Sequence, residues 1–110
     1  MKLPNTEAAW IDRDKLIGYL LSETHPIGRW KAKFFRGIGF DESNIAFLEQ
    51  ALIEIAKTEA TAETTASLHG TKYVVDGSIT TPSGNQVRLR TVWIIDKGQD
   101  RPRFVTAYPM

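Results

Sequence analysis

His25, Pro26, Gly28 and Lys31 stand close enough together, and in the right order, to handle a phosphate. Proline suits the first position of a helix, where its missing N–H would have no partner. The residue before it is pushed to extended backbone, as an N-cap residue should be. The spacing therefore predicts a helix that is capped by His25, begins at Pro26 and stops near Gly37 and Gly39. The free N–H groups and the dipole of such a helix start favour an anion, and Gly28 lets a ligand approach them. At about 100° per residue, Arg29, Lys33 and Arg36 fall on one side, and Lys31 points away from them, between Ile27 and Phe35. A helical side chain leans toward its own N-terminus, and the intervening rise is only about 7.5 Å, so the ammonium can approach His25. A histidine can transfer protons near neutrality, and a lysine beside it can stabilise charge growing on phosphate oxygens. The same spacing also fits a Lys31 that snorkels to solvent and a His25 that only caps.

Strand alternation supplies the remaining candidates. Over residues 86–96, Val87, Leu89, Thr91, Trp93 and Ile95 share one face, so the Thr91 hydroxyl sits among apolar neighbours, and Arg88 and Arg90 share the other. Near the end, Phe104, Thr106 and Tyr108 alternate with Arg103, Val105 and Ala107, and Lys72 opens an earlier strand. Hydroxyls at 91, 106 and 108 could orient a phosphate or assist proton transfer, and Lys72 or Arg90 could add positive charge. Threonine and tyrosine are equally ordinary strand formers, and exposed cations are ordinary surface. His69, beside Gly70, reads as an exposed turn residue. No phosphate-loop glycine pattern, nucleophile elbow or pair of metal-binding carboxylates occurs, and the two histidines are far apart. Neither a metal nor another cofactor is expected.

The elements that must position these residues are legible from periodicity. Residues 1–10 read as an irregular arm packed by Leu3 and Trp10. Asp12 is a good N-cap for a first helix striped by Leu16, Ile17, Leu20 and Leu21, with Ile11 able to staple to Leu16. The link through residues 22–24 is short, so the first two helices should be neighbours. On the second, Ile27, Trp30, Phe34 and Ile38 form the expected core face, with Phe35 at its edge. Asp41 or Ser43 can cap a third helix, in which Ile45, Leu48, Leu52 and Ile55 recur at helical spacing and which fades near Thr58. The threonine-rich run 60–68 favours an edge strand. Strands follow at 71–79, at 86–96 (the strongest and most central) and at 103–108, separated by turn signals at 69–70, 81–85 and 97–100. Short loops imply an antiparallel meander. The predicted fold is α+β, with three N-terminal helices packed on one face of a four-stranded antiparallel sheet.

The chain of 110 residues is the size of one domain, spanning 1–110. Its net charge of +1 means that any nucleic-acid binding must rest on a local patch rather than bulk charge. With no cysteine, disulfides and thiolate metal sites are excluded, which fits a cytoplasmic protein. No apolar run is long enough to span a bilayer, and no signal peptide is recognisable, so no membrane association is expected.

Four motifs together resemble a family: His-Pro-x-Gly-x-x-Lys-Ala at 25–32, Gly-Thr-Lys-Tyr-Val-Val-Asp-Gly at 70–77, Arg-Thr-Val-Trp at 90–93 and Val-Thr-Ala-Tyr-Pro at 105–109. The chain is similar over nearly its whole length to a bacterial, often cyanobacterial, family of small stand-alone domains of unknown function, whose genes often neighbour a small antitoxin-like gene. The closing Thr-Ala-Tyr-Pro also resembles the last strand of toxins in the barnase–EndoU–colicin–RelE group. That resemblance implies a metal-independent endoribonuclease, the toxin half of a toxin–antitoxin pair, with helices preceding a four-stranded antiparallel sheet. A ribose 2′-hydroxyl would attack the adjacent phosphate, so RNA and not DNA would be cut. His25 would serve as general base or acid, and Lys31, with Lys72 or Arg90, would stabilise phosphate charge. Gly28 would admit the substrate, and Thr91, Thr106 and Tyr108 would orient the phosphate or assist proton transfer. The alternative expectation is a non-catalytic protein-interaction module derived from such a toxin fold.

Overall fold

Beyond residue 60 the sequence turns to β-branched and aromatic residues, and four strands follow: β1 (Thr61–Ser67), β2 (Gly70–Thr80), β3 (Gln86–Asp96) and β4 (Arg103–Pro109). The computed structural model describes residues 2–110. Each strand pairs antiparallel with the next, giving the order β1-β2-β3-β4. The long β3 is central, as its apolar content predicts. The threonine strand β1 forms one edge and is almost wholly exposed.

Three helices precede the sheet. The first, α1 (Arg13–Lys15), is capped by Asp12, whose side chain accepts from the Asp14 N–H, and it widens into a π-helical turn over Leu16–Leu20. The N–H of Leu21 reaches back to the Leu16 carbonyl at 2.7 Å, five residues away, which is the mark of that wider turn. The second, α2, spans Arg29–Gly37, and the third, α3, spans Ile45–Thr58. A short 3₁₀ turn at Glu42–Asn44 leads into α3, and Asp41 and Asn44 close it with a reciprocal capping box. No helix among the described residues is long and apolar enough to cross a membrane.

The helices bury their apolar faces against one side of the sheet. Leu16, Leu20, Leu21, Phe35, Leu48, Leu52 and Ile55 meet Val75, Leu89, Trp93, Phe104 and Ala107 in one hydrophobic cluster. Trp93 and Phe104 pack edge to face at its centre, with ring centroids 5.4 Å apart. The opposite side of the sheet carries ion pairs, Arg90 with Asp76 and Arg103 with Asp96. The N-terminal arm packs Leu3 into the core and bridges Trp10 alongside Arg103, so it covers part of the outer edge of β4.

Two local expectations are corrected. The face of α2 that enters the core is Ala32 and Phe35, following Gly28, whereas Trp30 and Ile27 are 67% and 64% exposed. Gly28 lets the backbone come very close to the Tyr19 carbonyl in the π-helical turn, and that close approach outweighs the larger apolar side chains in choosing the buried face. On β4, strict alternation fails because Val92 opposes Thr106 while Trp93 opposes Phe104, which leaves Val105 as an extra residue. The bulge buries both Phe104 and Ala107, and it moves Thr106 and Tyr108 to the register positions of Val92 and Arg90.

Candidate functional site

The corner between α1 and α2 closes over the outer edge of β4, and Tyr19 stands at its centre. The His25 ring packs edge-on to the Tyr19 ring, with centroids 5.0 Å apart. The Tyr19 hydroxyl lies 3.1 Å from the Thr106 hydroxyl. The Lys31 ammonium sits 5.4 Å from the Tyr19 ring centroid and 6.0 Å from that of Tyr108, so it bridges the two phenols. Lys15 approaches the same Tyr19 ring at 5.4 Å. Three sequence candidates, His25, Lys31 and Thr106, thus meet at a residue that was not among them, and a fourth, Tyr108, joins through Lys31.

The expected helix start at Pro26 is corrected: residues 26–28 form a turn, α2 begins at Arg29 with Gly28 as its N-cap, and the His25 side chain closes the turn ahead of it. Its Nδ1 accepts from the Ile27 N–H at 3.1 Å and from the Gly28 N–H at 3.0 Å, and the Arg29 N–H closes the first turn onto the His25 carbonyl at 3.0 Å. A ring nitrogen that accepts cannot also carry the proton, so this hydrogen-bond pattern assigns the proton of the neutral ring to Nε2. The imidazole therefore offers a fixed donor at the corner, while its acceptor nitrogen is committed to that turn.

Tyr19 has the altered chemistry. Partial burial pushes its pKa up. Hydrogen bonds with Thr106 and Lys31 and the charges of Lys31 and Lys15 outweigh burial and hold the phenol below its ordinary value of 10.0. Gly28 brings these groups together, because a Cβ there would stand 2.2 Å from the Tyr19 carbonyl oxygen. Arg36 fixes the far end of the corner by donating twice to the Leu21 carbonyl, at 2.8 and 2.9 Å.

The other sequence candidates lie elsewhere or are otherwise engaged. Thr91 is fully buried, donates to the Val75 carbonyl at 2.6 Å and accepts from the Trp93 indole at 2.9 Å. Its hydroxyl is spent on the core because a polar group on the buried face must find partners there. Thr91→Val should leave the corner unchanged but cost about 1–3 kcal/mol of stability, since it strands the indole N–H. An unaltered urea midpoint would show those two bonds to be worthless. Lys72 is exposed on β2, four residues and about 13 Å along the strand from Asp76, which lies level with Tyr108 across the sheet. Arg90 is opposite Tyr108, but its guanidinium is held by Asp76 at 2.8 and 2.9 Å. That pairing holds the Asp76 carboxyl below the usual range and raises the already high pKa of the arginine. Arg90 thus flanks the corner as a committed cation.

Tyr19 escaped the sequence reading because apolar periodicity assigned its helix to the core through Leu16, Ile17, Leu20 and Leu21. A signal was present: the brief link at 22–24 made helices one and two neighbours, so a tyrosine late in the first had to lie near the start of the second. Among the described residues, no group of three or more His, Asp or Glu side chains is arranged to hold a metal ion.

Comparison with known proteins adds three findings. The model of a family described as a domain of unknown function (DUF6883) matches residues 2–110. No curated protein matches the chain. Among solved structures, the fold is similar to a chain of a contact-dependent growth inhibition toxin–immunity protein complex from Klebsiella pneumoniae 342. The TM-score is 0.71 at 17% identity, over 94% of this chain and 95% of that one.

Proposed function

The chain belongs to the DUF6883 family of domains of unknown function, and from that premise we propose that it is a metal-independent, toxin-like endoribonuclease. The observation that carries this reading is the meeting of Lys31, His25 and Thr106 at Tyr19, with Tyr108 on the same Lys31 ammonium. The fold supports it, being similar to a chain from a toxin–immunity complex.

In this reading RNA lies across the corner with its scissile phosphate at Lys31. Tyr19 acts as its phenolate, the form its neighbours favour, and takes the proton from the ribose 2′-hydroxyl to become the neutral phenol. The 2′-oxygen attacks phosphorus, and the bond to the 5′-oxygen breaks. Tyr108, on the other side of Lys31, returns a proton to that leaving oxygen. The Lys31 ammonium and the His25 Nε2–H donate to the phosphate oxygens as charge grows on them. Thr106 fixes the Tyr19 hydroxyl. His25 is thereby a donor to the phosphate rather than the base. A small protein partner that covers the corner belongs to the same reading, by analogy with the immunity protein of the similar complex.

Purified protein should cleave RNA in excess EDTA, leave DNA of the same sequence intact and yield a 2′,3′-cyclic phosphate. The DNA result follows from the need for a 2′-hydroxyl nucleophile. Cleavage that EDTA abolishes, or equal cutting of DNA, would refute the mechanism. RNA left intact while a small protein co-purifies would favour the interaction module.

A further inference from the structure

The outward side of α2 presents a large aromatic ring among unpaired cations. Trp30 is 67% exposed and Ile27, one helical turn before it, 64%. The Arg29 guanidinium lies over one side of the Trp30 ring, 5.2 Å from its centroid. Trp30, Arg29, Lys33, Glu23 and Arg36 line a concavity of about 420 Å³. The one acid in it, Glu23, is already tied to Arg36 at 3.4 Å, and Arg36 also holds Glu42. No ion pair among the described residues engages Arg29 or Lys33. An exposed indole costs free energy in water and contributes nothing to this core.

Trp30 and Lys31 are consecutive, and their side chains diverge by about 100° around the helix. A strand whose phosphate rests on Lys31 therefore passes directly to the Trp30 face. An indole with a guanidinium over one side, the other side left to a base, and a second cation one turn away matches single-stranded nucleic acid, which presents flat bases and regularly spaced phosphates. Resting on the ribonuclease reading, we propose that Trp30 is a stacking platform for an RNA base next to the scissile phosphate, with Arg29 and Lys33 holding the flanking phosphates. The surface extends the corner into a substrate-binding track. It reads no sequence, since every base has a face to stack.

The test is the affinity of the full chain for a short single-stranded 2′-O-methyl RNA, which lacks the free 2′-hydroxyl and cannot be cut. Trp30→Ala should weaken binding by roughly 5- to 150-fold, and Trp30→Phe should retain most of it. Removing Arg29 or Lys33 should lower the salt dependence of binding by about one phosphate each. All of these variants should keep the wild-type unfolding midpoint, because the side chains project into solvent. Undiminished binding by Trp30→Ala overturns the platform and leaves the ribonuclease reading standing. Failure of the wild-type chain to bind overturns the platform too, and the EDTA cleavage assay then decides separately whether the ribonuclease reading falls with it. If Trp30→Ala keeps RNA affinity but loses a co-purifying acidic protein, the surface belongs to a protein partner and the proposal is wrong.

Discussion

Lys31→Ala is expected to lower the rate of RNA cleavage by roughly 10²–10³-fold, the usual loss when one donor to a developing anion is removed. The fold should survive, because Lys31 is only half-buried and its head group contacts ring faces rather than the core. An independent readout accompanies the activity. The Lys31 charge and hydrogen bond favour the phenolate of Tyr19, so removing them must move that pKa back up toward 10.0. Ultraviolet titration of the phenolates should show one tyrosine shifting upward, and Tyr19→Phe should identify it by deleting it. If neither the rate nor the titration changes, the ammonium does not act on the Tyr19 corner. If the titration shifts and the rate does not, the corner exists but is not where RNA is cut.

The second large effect is on stability. Gly28→Ala should destabilise the fold by roughly 3 kcal/mol, at the upper end of overpacking costs. Two effects compete at this position. The Gly28 backbone sits in the right-handed region, at φ −72° and ψ −22°, so alanine adopts it without strain and should gain about 0.4–1 kcal/mol by restricting the unfolded chain. Against this, its Cβ would lie 2.2 Å from the Tyr19 carbonyl oxygen and 2.9 Å from the carbonyl carbon, both backbone atoms that cannot rotate aside. The clash wins, and α2 must lift away from α1. The same displacement pulls His25 and Lys31 from Tyr19, so activity should fall further than stability alone explains. A urea midpoint equal to or above wild type would mean that the two helices are not in such close contact.

The fold was largely legible in the sequence because its signals are local. The alternation of residues 86–96 marks β3 from Gln86 to Asp96, and the spacing of Ile45, Leu48, Leu52 and Ile55 marks α3 to Thr58. His25 accepts from the backbone of the turn that Pro26 opens, although α2 itself starts three residues later, at Arg29. What the sequence concealed depends on how elements meet. Hydrophobicity ranks Trp30 above Ala32, yet the fit of Gly28 against the Tyr19 carbonyl decides which face of α2 is buried. A one-residue bulge at Val105 sends Thr106 where alternation does not. A π-helical turn breaks the regular period in the helix segment that carries Tyr19. These are the three devices that build the corner, and each is a departure from the regular period on which sequence reading depends.

The Tyr19–Thr106 hydrogen bond joins residues 87 positions apart, and Lys31 meets Tyr108 from nearly as far. The β2–β3 hairpin pairs neighbours and can close early, whereas this corner must wait for the costliest loop to shut. During synthesis, helices α1 and α2 leave the ribosome first and remain without their counterpart until β4 follows. A nascent chain that stops short of Thr106 contains His25, Lys31 and Tyr19 and still lacks two of the hydroxyls they work with. The activity proposed for this corner is thereby completed only when β4 joins helices made long before it.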